Sequence, residues 1–165
     1  MGRWRIIGLM LMGALVVSFV GCGRNQQGVE EILFALSGAC AELPDGECYV
    51  FGSENGTALS DGEREALYGV DSDGIFAAVE EYAIYVSSFP VPCELAVFRC
   101  YGRNDAHRVA AMCMERVEML RVALRGSEWE PWVGEARILC RGRMVVMIVG
   151  EDAESLERQA LSLLR

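Results

Sequence analysis

Two hydrophobic periods alternate along this chain. Val29, Ile32, Leu33 and Leu36 recur at helical spacing and predict a helix over 29–40. Residues 43–60 are rich in Gly, Asp, Asn and Ser and read as loop, with a short strand expected at 48–51. Ser60-Asp61-Gly62-Glu63 has the form of a capping box, in which a hydroxyl and a carboxylate satisfy the first free amides of a helix. That helix should run to about Tyr68, where Gly69 stops it. Residues 82–88 alternate and are rich in strand formers, and Pro90 and Pro92 break the run. Residues 93–101 form a second strand, with Leu95, Val97 and Arg99 on one face and Ala96, Phe98 and Cys100 on the other.

Asn104 should open a long helix to about Leu124, with Val109, Cys113, Val117, Leu120 and Leu124 along its buried stripe. Gly126 ends it. Residues 136–140 and 144–149 make a hairpin around Arg141-Gly142-Arg143. Asp152 opens a last helix with Leu156, Ala160, Leu163 and Leu164 facing in. The order β-β-α-β-β-α predicts an α+β domain: a mostly antiparallel four-stranded sheet in two layers, helices on one face, preceded by the N-terminal helix. Residues 144–149 are apolar at every position, and such a strand wants cover on both faces. The N-terminal helix is the expected cover, and a partner is the alternative.

The first residues carry a different signal. Arg3 and Arg5 precede an apolar run over 6–20, which ends in Phe19-Val20-Gly21-Cys22. A charged start, an apolar stretch and a small residue before the cut site make a secretory signal. Gly21 directly before Cys22 is the lipobox arrangement of exported bacterial lipoproteins, although Phe19 stands where Leu is usual. Diacylglycerol on the Cys22 thiol would tether the chain to the outer face of a membrane. Two acyl chains hold stably where one binds only marginally. An uncleaved spanning helix needs ~20 apolar residues, more than this run supplies. The expected organisation is a signal peptide over 1–21, a tether over 22–28 and one domain over 29–165. Myristoylation at Gly2 is disfavoured by Ile6, and the sequon Asn55-Gly56-Thr57 means little in a bacterium.

Charge narrows the partners. The chain's net −9 becomes −11 without Arg3 and Arg5. Residues 22–81 hold 13 acidic and two basic side chains, whereas 82–165 hold 11 of each. The acidic half argues against nucleic acid and anionic lipid there. Every basic residue is Arg, which a GC-rich genome explains. Beyond Cys22, six cysteines remain: Cys40, Cys48, Cys93, Cys100, Cys113 and Cys140. An even number in an exported chain invites disulfides. Cys40 and Cys48 flank a turn at Pro44-Asp45-Gly46 and form the one candidate bridge; the others lie in apolar segments as small buried hydrophobes.

With these segments placed, the chain resembles a clostridial family of small lipoproteins, domain-of-unknown-function family 4358. The resemblance covers roughly 66–156. It rests on Leu67-Tyr68-Gly69-Val70-Asp71, Glu80-Glu81-Tyr82, Glu94-Leu95-Ala96-Val97-Phe98, Arg116 within Met114 to Glu118, Pro131, and Gly142 before Val145 to Val149. The family pattern has Gly-x-Tyr where this chain has Gly142-Arg143-Met144. The resemblance implies an exported lipoprotein of this fold and no particular reaction.

Candidate chemistry is sparse. His107 is the only histidine, and no nucleophile signature surrounds any cysteine, so a helix-surface histidine is the plainer reading than a catalytic dyad. Cys100, His107 and Cys113 lack the spacing of a compact zinc site. Glu80, Glu81, Glu128 and Glu130 fit a solvated acidic face rather than a tuned acid–base pair. Glu94 opens a strand between apolar neighbours. It calls for an ion pair, with Arg116 on the packed helix as partner, or else for a ligand.

Arg137, Arg141 and Arg143 share strand parity, with Trp129 and Trp132 just upstream. They would suit an anion or a stacked ring, or simply a polar outer face with two indoles covering a core edge. Phosphate loops, dinucleotide fingerprints and serine elbows are missing from the sequence. The expectation is therefore a lipid-anchored extracytoplasmic module that binds a protein or envelope component without catalysis, with no cofactor or metal. The alternatives are an exported cysteine-dependent enzyme and a small anionic-ligand binder at the Arg137–Arg143 hairpin.

Overall fold

The computed structural model describes residues 27–164; Cys22 and the signal peptide expected over 1–21 lie outside them. Helix α1 (Val29–Ser37) is followed by β1 (Gly46–Phe51), α2 (Asp61–Tyr68), the short α3 (Asp73–Phe76), β2 (Val79–Ser87) and β3 (Glu94–Cys100). The long α4 (Arg103–Ala123), α5 (Glu130–Gly134), the hairpin strands β4 (Arg137–Arg141) and β5 (Met144–Val149), and α6 (Ala153–Leu163) complete it. The strands form one open antiparallel sheet in the order β1-β2-β3-β5-β4. Among the described residues no helix is long and apolar enough to cross a membrane.

Two sequence expectations are corrected. The sheet has five strands rather than four, because 46–51 pairs with β2 along its whole length, from Gly46 opposite Ser87 to Phe51 opposite Tyr82. Helices also cover both faces, so the two-layer arrangement does not hold. Ala96, Phe98, Val145, Met147 and Val149 pack beneath α4 with α2, α3 and α5 around it. Leu95, Val97, Val146 and Ile148 pack on the other face, beneath α1 and α6. This accounts for the unbroken apolar run of β5: its odd and even positions enter different cores, and α1 with α6 supplies the cover that the pattern demanded.

The Ser60–Glu63 box and the Gly142 turn fall where they were read, whereas α4 opens at Arg103 with Gly102 as its cap, so Asn104 lies inside the helix rather than opening it. Ser60 accepts from the Glu63 amide at 3.3 Å, and the Glu63 carboxylate accepts from the Ser60 amide at 2.7 Å. Gly142 turns the hairpin at φ +65°, a left-handed conformation that favours glycine. On the α4 side the core is aromatic. Phe98, fully buried, lies 6.1–6.2 Å from the rings of Tyr68, Phe76 and Tyr82, tilted or edge-on to each. Such geometry adds about 0.5–1.5 kcal/mol per pair beyond area burial. The Tyr82 hydroxyl is occupied by the Leu59 amide at 2.8 Å.

Candidate functional site

Chain geometry brings Glu94 and Arg116 together. From Glu94 to Cys100 the strand advances roughly 20 Å at about 3.3 Å per residue. From Arg103 the helix returns roughly the same distance by Arg116 at ~1.5 Å per residue. The Arg116 Nε donates to the Glu94 carboxylate at 2.9 Å, so the ion pair expected from sequence is formed. Glu94 is 2% exposed, and its other oxygen accepts from the Tyr68 hydroxyl at 3.1 Å. Burial first, then the neighbouring Glu94 charge, pushes the Tyr68 hydroxyl well above its usual pKa, so it stays a donor.

The pair lies beneath the β2–β3 loop, on the floor of a cleft of about 180 Å3. Pro90, Val91 and Pro92 form one wall, and Leu120, Ala123 and Leu124 of α4 the other. Arg116 lines the cleft, and among the described residues only its Nε has a hydrogen-bond partner, so the donors of its two terminal nitrogens are unused. Phe89 stands at the rim, 90% exposed, and also borders a second cleft of about 400 Å3. That cleft contains Glu47, Tyr49 and Glu63. The Tyr49 hydroxyl donates to Glu47 and lies 3.0 Å from a Glu63 oxygen. The Glu47 bond, ahead of burial, raises the Tyr49 pKa. Bonds from the Ser60 hydroxyl and amide lower that of Glu63. Charge concentrates here because β1 and α2 both come from the acidic half of the chain.

The other sequence candidates disperse. Arg137 pairs with Glu157 at 3.2 Å and donates to its neighbouring carbonyls. Arg143 pairs with Glu80 at 3.0 Å, and Arg141 is exposed. The three guanidiniums therefore do not converge on a concavity. Trp129 and Trp132 pack edge to face at 4.7 Å, with Trp129 against the α4-side core, as core cover would have it. Cys40 and Cys48 are separate thiols, and the Cys40 Sγ is 3.6 Å from the Leu36 carbonyl.

One arrangement was not legible in sequence: the Sγ of exposed Cys140 lies 3.9 Å from the Nδ1 of exposed His107. It needs the sheet order, which sets edge strand β4 beside the first turns of α4. Desolvation raises the Cys140 pKa, the opposite of an activated nucleophile. Burial likewise raises Cys93 to about 12 and Cys100 to about 11, and holds Cys113 well above its ordinary value. Because raised values shrink the thiolate fraction at neutral pH, iodoacetamide should alkylate Cys140 at pH 7.5 no faster than a free thiol. Its rate should climb only above about pH 8.5, the ordinary thiol value, because burial raises the Cys140 pKa past it. A Cys140 rate well above that of a free thiol at pH 7.5, lost in His107→Ala, would point to a catalytic pair.

Among the described residues, no group of three or more His, Cys, Asp or Glu side chains is placed to hold a metal. No family model, curated protein or solved structure matches the chain. These comparisons add no support to the resemblance to family 4358.

Proposed function

We propose that the chain is an exported lipoprotein, anchored through diacylglycerol on Cys22, whose domain binds a protein or envelope component at the outer face of the membrane without catalysing a reaction. The observation that carries this reading is the charged start, apolar run and Gly21-Cys22 junction, followed within a few residues by the folded domain. The Gln27 carbonyl accepts from Arg99 at 2.7 Å, so the chain is already docked on the domain five residues after Cys22. The resemblance to small clostridial lipoproteins points the same way. Because α1 and α6 cover the second sheet face, a partner has to engage some other surface.

The test is membrane fractionation of wild type and Cys22→Ala. Wild type should be membrane-bound, and the mutant should remain an unprocessed precursor. Wild type found free in the medium would overturn the anchor. A cysteine-dependent enzyme is the second reading. The Cys140–His107 contact favours it, and the raised thiol pKa opposes it.

A further inference from the structure

We infer that the two clefts flanking Phe89 receive an extended peptide segment of a partner protein. An apolar side chain would seat against Leu120 and Leu124, and a Lys or Arg of the same segment would reach Glu47 and Glu63. This deepens the binding-module reading and rests on it.

Four observations select this occupant. First, the cleft over Glu94 has apolar walls and one fixed polar fork at its floor, the composition of a site that takes an apolar group and orients it by a few hydrogen bonds. Second, Glu94 already neutralises Arg116, so the remaining guanidinium donors suit a neutral acceptor such as a peptide carbonyl better than an anion. Third, the Tyr49 hydroxyl has one hydrogen and two carboxylates against it. Ser60 supplies further donors to Glu63, but neither Glu47 nor Glu63 pairs with a cation among the described residues, and a cationic side chain from outside would supply one. Fourth, Val86, Ser87 and Phe89 border both clefts, so one short segment crossing the Phe89 ring spans them.

Position agrees. The chain enters the domain at Gln27, bound to Arg99 near the C-terminal end of β3, whereas the clefts lie at its N-terminal end beside Glu94. Five residues of strand, roughly 17 Å, separate the two. A chain anchored at Cys22 would hold the Arg99 end toward the membrane and present the Phe89 end outward. The acidic composition of residues 22–81 favours a basic segment.

The experiment is a 1H–15N titration of the full chain in detergent with three capped peptides: acetyl-Leu-Ala-Arg-amide, acetyl-Leu-Ala-Glu-amide and acetyl-Ala-Ala-Ala-amide. The Leu-Ala-Arg peptide should shift the Arg116 Nε–H and the Phe89 amide, with a Kd on the order of 1 mM for so small a probe. Ala123→Trp, which fills the first cleft from an exposed helix position, should abolish the shifts. Glu47→Gln should weaken the Leu-Ala-Arg peptide about fivefold and leave the Leu-Ala-Glu peptide unchanged. The proposal is overturned if no peptide shifts these resonances, if Ala123→Trp leaves the shifts intact, or if the Glu peptide binds as well as the Arg peptide. Since the assay reads binding in detergent, its outcome is independent of whether Cys22 carries lipid.

Discussion

Arg116→Met is expected to destabilise the domain by about 3–5 kcal/mol, because it leaves the Glu94 carboxylate buried without its ion partner. Met keeps much of the volume, so the loss is electrostatic rather than a cavity. The paired change Glu94→Met with Arg116→Met removes both charges and should recover most of that loss. Replacing a buried pair by apolar groups is often close to neutral. Tyr68→Phe removes only a hydroxyl and should cost about 1 kcal/mol. Urea unfolding of the four proteins at constant m-value decides the matter. An Arg116→Met loss below about 1 kcal/mol would mean that water reaches Glu94 and that the pair is a surface contact.

Phe98→Ala is the other large effect. Its ring sits at 0% exposure among Tyr68, Phe76 and Tyr82, and truncation leaves a cavity that the surrounding β-sheet cannot close. The expected cost is about 3–5 kcal/mol, a large part of the 5–15 kcal/mol that holds an ordinary domain folded. Phe89→Ala removes the same side chain from a position that is almost fully exposed and should change stability by less than about 0.5 kcal/mol. The contrast between the two, read by thermal unfolding, separates the aromatic core from the cleft rim.

The elements legible in sequence are those with a local signature. The Ser60–Glu63 box announced α2, the stripe from Val109 to Leu124 announced α4, and the apolar run of 144–149 announced a strand buried on both faces. The Glu94–Arg116 pair was legible because strand rise and helix rise return the chain to the same place.

What depended on tertiary order was not legible. A short strand was expected at 48–51, but its start at Gly46 and its place in the sheet were not, because they come from the β2 ladder rather than from its own pattern. Nothing local tells α6 to cross to the face opposite α4. The closeness of Cys140 to His107 follows from strand order alone. The convergence that an anion site at Arg137, Arg141 and Arg143 would need is not formed, because glutamates distant in sequence, Glu157 and Glu80, bind two of the three. The acidic cleft joins residues from β1 and α2 that share no sequence period.

The central claim is that this domain is displayed from a membrane by lipid on its first mature residue. Intact mass spectrometry of the wild-type protein purified from its membrane fraction tests it most directly. The account predicts a chain beginning at Cys22, heavier than the bare polypeptide by a diacylglyceryl group, with the extra mass in the N-terminal peptide. A mature chain beginning elsewhere, or one beginning at Cys22 with an unmodified thiol, would contradict it.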